Sequence, residues 1–154
     1  MNLFPGIEEH DNMQDCLHFV KSKRLSAYEK LVNRISKVDL LILNGEGTLI
    51  FQSPPRKDLL IYLVILQACI DAGKPFYVLN AMFTPFADEP LNVEFMGQAI
   101  TILEKAEMFG ARDYESYRFI SQYGKNINAK YIPDALFTWF ICFRATKIIL
   151  NTHC

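Results

Sequence analysis

At 154 residues with 51% hydrophobic side chains, the chain has the length and apolar content of one core-forming domain, which excludes a disordered or collagen-like polypeptide. It has 16 basic and 17 acidic residues, a formal net charge of -1 and a pI near 6.3, leaving no electrostatic footprint for nucleic acid or anionic lipid. Cys16, Cys69, Cys142 and Cys154 are scattered without a Cys-x-x-Cys pair, which argues against a zinc or redox motif and for reduced thiols.

Met1 to His10 lacks both the basic start and the apolar core of a signal peptide, so a cytoplasmic protein is expected. Residues 1–25 are mostly polar and unpatterned, apolar only from Leu17 to Val20, and are expected to be poorly formed. From Ser26, the recurrence of Tyr28, Leu31, Val32 and Ile35 among charged residues predicts a helix. Leu40 to Leu43 then reads as a buried strand. It opens into Asn44-Gly45-Glu46-Gly47-Thr48, a tight loop whose glycines are expected to take positive φ or to let a ligand approach closely.

A helix is expected from about Arg56 to Ala72, opened near Pro54-Pro55 and closed by Gly73. Lys74 to Asn80, aromatic and β-branched, reads as a second strand. Asn92 to Lys105 predicts a helix with Val93, Met96, Ile100 and Leu103 on one stripe, and Glu107 to Arg112 a short third strand. Asp113 is placed to N-cap a helix from Tyr114 to Tyr123, which Gly124 stops. Ala129 to Ile132 forms a fourth strand, ended by Pro133 and Asp134.

Strands alternating with helices of this length predict an α/β domain over residues 26–137, a Rossmann-like parallel sheet with flanking helices. Leu59 to Ile70 and Ala135 to Phe143 are apolar but short of the roughly 20 residues that a membrane-spanning helix needs. Ala135 to Cys154 contains no acidic residue. It reads either as an ordinary buried helix or, over 138–154, as a tail left by truncation.

Four polar clusters fall at predicted strand ends: Asn44 to Thr48, Asn80, Arg112-Asp113 with Ser116, and Asp134. In a parallel sheet they share the carboxyl edge, where ligands bind in open α/β folds. Glu46 can serve as a general base or bind sugar hydroxyls; equally, it can be a loop carboxylate that accepts backbone N–H groups. Arg112 can clamp a phosphate or carboxylate, or pair with Asp113, Asp134 or Glu46. Asn44 and Asn80 can bind ligand hydroxyls or simply tolerate a left-handed backbone. Ser116 fits a first helical turn better than a nucleophile, because no histidine is placed to activate it. Gly45-Glu46-Gly47 is neither a dinucleotide fingerprint nor a Walker loop, so NAD and ATP are not indicated, and no cluster has metal-ligand spacing. Asp88-Glu89-Pro90 reads as a solvated turn.

DLLILNGEGTL at Asp39 to Leu49, KPFYVLN at Lys74 to Asn80, RDYES at Arg112 to Ser116 and YIPDALF at Tyr131 to Phe137 together resemble the N-terminal half of the polysaccharide pyruvyl transferase family. The resemblance implies one half of a GT-B-type transferase, in which two Rossmann-like halves face a cleft. It implies transfer from phosphoenolpyruvate, as donor substrate, to a sugar hydroxyl of a cell-surface polysaccharide, with no metal and no further cofactor. Glu46 and Arg112 would be catalytic. Asn44 and Thr48 would face the acceptor with Glu46, Ser116 would lie deeper with Arg112, and Gly45, Gly47, Asn80, Asp113 and Asp134 would complete the substrate-binding set.

Two departures accompany the match. The chain stops where the second half should begin, and no first strand with a glycine-rich turn is recognisable. A truncated, weakly active or inactive member is therefore expected. Half of a nucleotide-sugar glycosyltransferase and a non-catalytic Rossmann-like interaction domain are the alternatives.

Overall fold

The computed structural model describes residues 4–84 and 91–134. A 3-10 turn, Ile7–Glu9, leads into helices α1 (Met13–Lys23) and α2 (Leu25–Ile35). Strand β1 (Leu41–Ile50), helix α3 (Lys57–Asp71), strand β2 (Phe76–Thr84), helix α4 (Val93–Leu103), strand β3 (Met108–Ala111), helix α5 (Tyr114–Tyr123) and strand β4 (Ala129–Tyr131) follow. The strands form one four-stranded sheet in the order β1-β2-β3-β4, and every pairing is parallel. The expected α/β class is thus observed. Asp88, Glu89 and the segment 135–154 lie outside the described residues.

Residues 4–25 are not irregular. Asn12 caps α1 by accepting from the Asp15 N–H, and Met13, Cys16 and Val20 recur on one buried stripe. Phe4 and Ile7 are also fully buried, and the Met13 N–H donates to Gln98 of α4 at 2.6 Å. Of the five apolar residues of α1, Met13, Cys16 and Val20 are buried at helical spacing, with Leu17 and Phe19 packed partly against the core.

Helix α3 is the centre of the helical layer. Leu59, Leu60, Leu63, Val64, Leu66, Ala68 and Cys69 are all buried in it, so its apolar run is core, and Gly73 terminates it at φ 62. No described helix is long and apolar enough to cross a membrane. Helix α4 buries Phe95, Met96, Ala99, Ile102 and Leu103, whereas Val93 is 64% exposed, so the expected stripe starting at Val93 is rotated. The buried set, at i, i+1, i+4, i+7 and i+8, is the wider apolar face, and Asn92 caps the helix by accepting from the Phe95 N–H.

Strands β1, at one edge of the sheet, and β2 run further than expected. The Gly-Glu-Gly segment belongs to β1 itself, because the ladder continues as Glu46↔Ala81, Leu49↔Phe83 and Ile50↔Thr84. Its register shifts between Glu46 and Leu49, and that of β2 with β3 shifts between Val78 and Ala81. These are bulge-like irregularities, which bend a strand and redirect its side chains. On β2 the buried residues run Phe76, Val78, then Ala81 and Phe83, with Asn80 as the extra residue.

Candidate functional site

The left-handed residues in β1 and β2 are Glu46 (φ 42) and Asn80 (φ 52), not the glycines between which Glu46 stands. The expectation that Gly45 and Gly47 supply positive φ is therefore corrected. Gly45 is needed for proximity: a Cβ there would lie 2.5 Å from the Ala81 Cβ on the neighbouring strand. A Cβ on Gly47 would meet nothing closer than the Met82 sulfur at 3.8 Å and Arg112 Nη2 at 3.9 Å. Asparagine tolerates the left-handed region better than most residues; glutamate there is uncommon, and such outliers concentrate at functional sites.

Three polar side chains form a line across β1 and β2. Asn80 Nδ2 donates to Asn44 Oδ1 at 3.0 Å, and Asn44 Nδ2 donates to Glu46 Oε1 at 3.1 Å. Asn44 and Glu46 are exposed, so the carboxylate stands open with one oxygen held by an amide.

Beside it, two guanidinium groups flank Gly47. Arg56, just before α3, reaches the Gly47 carbonyl through Nη1 at 3.4 Å. Arg112 leaves the end of β3, half-buried, with Nη2 on the Met82 sulfur at 2.6 Å and Nη1 4.0 Å from Asp134 Oδ2. Of the three acidic partners expected for Arg112, Asp134 is the one it meets. Thr48 is half-buried next to Gly47. The structure thus brings Asn44, Gly45, Glu46, Gly47, Asn80, Arg112 and Asp134 together, the β1 and β2 residues lying within their strands at the level where β3 and β4 end. It adds Arg56 and Met82, for which no local sequence pattern gave a signal.

Asp113 and Ser116 sit behind this group. Asp113 Oδ1 accepts from the Ser116 N–H, which caps α5, and the Ser116 hydroxyl donates to Asp113 Oδ2, both at 2.8 Å. The same hydroxyl oxygen accepts from the Phe83 N–H at 2.9 Å, and Ser116 is fully buried. Their geometry fastens α5 to β2. Ser116→Ala should therefore destabilise the domain by about 1–3 kcal/mol, because the Phe83 N–H and one Asp113 oxygen lose their partner. Chemical denaturation reads this directly, and a loss below about 0.5 kcal/mol would contradict it.

Among the described residues, the cysteines Cys16 and Cys69 are both buried. Burial pushes the Cys16 thiol up to about 12 and the Cys69 thiol up to about 11. Among the described residues no group of three or more His, Cys, Asp or Glu side chains can hold a metal ion.

The model of one protein family, polysaccharide pyruvyl transferase, matches residues 8–152. The chain belongs to the polysaccharide pyruvyl transferase family. That match takes in α1, which the four motifs left out, as well as every residue of this group. No curated protein and no solved structure matches the chain. Membership of the pyruvyl transferase family implies a carbohydrate acceptor.

Proposed function

We propose that this group of residues forms the reacting wall of a pyruvyl transferase that takes phosphoenolpyruvate as donor and a saccharide as acceptor. Glu46 engages the acceptor hydroxyl as general base, while Arg112 and Arg56 hold the donor's phosphate and carboxylate. The observation that carries this reading is the Glu46 carboxylate, exposed and held by Asn44, one residue from the Gly47 position that both guanidinium groups flank. In this reaction the acceptor oxygen bonds to C2 of phosphoenolpyruvate as its proton passes to Glu46. That proton passes on to the methylene carbon, phosphate leaves with the C2–O electron pair, and a second acceptor hydroxyl bonds to C2 to close the ketal, its proton taken up by the departing phosphate. Arginine suits the donor because its planar fork matches phosphate and carboxylate geometry. A second Rossmann-like half, as in a GT-B-type transferase, would supply the facing wall.

Phosphoenolpyruvate is expected to raise the melting temperature of the chain, and Arg112→Ala to weaken that binding by about tenfold or more, the scale of a lost charged hydrogen bond. Glu46→Gln should keep the phosphoenolpyruvate response and lower phosphate release in the presence of hexose oligosaccharides by about a hundredfold or more. Unchanged release in the Glu46 variant would remove the base. A response to phosphoenolpyruvate that survives removal of both arginines would remove the donor site.

A further inference from the structure

We propose that Asn80 is a positioning residue that aims the Glu46 carboxylate, an inference that rests on the reading of Glu46 above. Asn44 is exposed, so its orientation depends on its hydrogen bonds. Its planar amide presents an oxygen on one side and an NH2 on the other. Asn80 Nδ2 takes the oxygen at 3.0 Å, and this turns the NH2 toward Glu46 at 3.1 Å. With Asn80's NH2 removed, the amide is free to rotate and set its oxygen against the carboxylate, which repels.

Asn80 does not serve its own stability. Its backbone is left-handed at φ 52, and its Oδ1 is buried with no hydrogen-bond partner among the described residues. Both features oppose folding, and glycine would relieve both at once. What glycine does not supply is the NH2 directed at Asn44. The two unusual backbones, at Glu46 and at Asn80, stand at the two ends of one hydrogen-bonded line, which makes the line a built arrangement.

Asn80→Gly separates the two roles. A merely structural asparagine predicts equal or higher stability and an unmoved site. A positioning asparagine predicts a melting temperature at or above that of the parent chain together with a changed Asn44 side-chain NH2 signal by NMR. It also predicts phosphate release lowered by about tenfold to a hundredfold, the scale of a misaimed catalytic group, with the melting response to phosphoenolpyruvate retained. Asn80→Asp keeps a residue that tolerates the backbone but offers Asn44 no donor, so it should shift the same NMR signal. It keeps the test open should the glycine variant fold poorly.

Asn44 NH2 signals that remain in place in both variants would overturn the proposal, and so would unaltered phosphate release despite shifted signals. Failure of the base reading looks different: Glu46→Gln would then keep turnover while the Asn44 signals still answer to position 80.

Discussion

Truncating Phe83 to alanine should destabilise the domain by about 3–5 kcal/mol, the range for removing a fully buried aromatic side chain. Phe83 is completely buried on β2, and its ring centroid lies 4.7 Å from that of Phe51, 5.9 Å from Phe109 and 5.9 Å from Phe119. The Phe109 pairing is edge-on at 89°, the arrangement in which a positive ring edge meets a negative ring face. One side chain therefore joins the segment after β1, strand β3 and helix α5. The alanine variant leaves a cavity bordered by three rings from different elements, which limits how far the site can collapse. A small domain's total stability is about 5–15 kcal/mol, so the loss is a large share of it. Urea denaturation should show a lower midpoint with an unchanged slope, and Phe83→Leu should fall between the parent and the alanine variant. A loss under about 1 kcal/mol would show that the surrounding rings close the space.

Gly45→Ala should destabilise by about 1–3 kcal/mol, the scale of overpacking, while Gly47→Ala should be nearly neutral for stability. The two glycines read alike in the sequence and differ in what faces them. At Gly45 a methyl group would stand 2.5 Å from the Ala81 side chain and 3.0 Å from its backbone carbon, atoms that move only if β1 and β2 separate. At Gly47 the nearest atom is 3.8 Å away, an ordinary van der Waals separation. Adding Ala81→Gly to the Gly45 variant should recover part of the loss, because the clash between the two methyl groups goes while the crowding against the backbone of position 81 stays. Equal stability of the two single alanine variants would contradict the close approach of the strands.

Periodicity and turn chemistry made most of the architecture legible: all four strands and helices α2 to α5 follow from spacing, and the Asp113 cap and the Gly73 stop from local chemistry. What escaped was information held by a partner. Helix α1 buries three residues and packs on α3 and α4, and its polar composition hides them until those helices are in place. Gly45 was legible as a glycine that matters, but the reason for it is Ala81, on another strand. The Val93 stripe failed because Phe95, Met96, Ala99, Ile102 and Leu103 form a wider apolar face, which leaves Val93 outside it. At the site, Arg112 and Asp134 follow the ends of β3 and β4 as topology predicts, whereas Asn44 to Thr48 and Asn80, expected at strand ends, lie within β1 and β2. The approach of Arg56 to the Gly47 carbonyl was not legible, since that pairing depends on how the chain between β1 and α3 folds back.

The extra residue in β2 has a consequence for parity. Along a regular strand side chains alternate sides, so a strand keeps one face for even positions and the other for odd. Below Asn80 the even-numbered Phe76 and Val78 face the core; above it the odd-numbered Ala81 and Phe83 do. A strand that ran straight through position 80 would instead present Met82 and Thr84 to the core and Phe83 to the half-buried face that carries Tyr77 and Leu79. A residue that resists the left-handed backbone there, valine for example, therefore pulls toward a strand with its upper half inside out. Asn80 is the point at which β2 changes from even to odd, and the aromatic centre of the domain depends on that change.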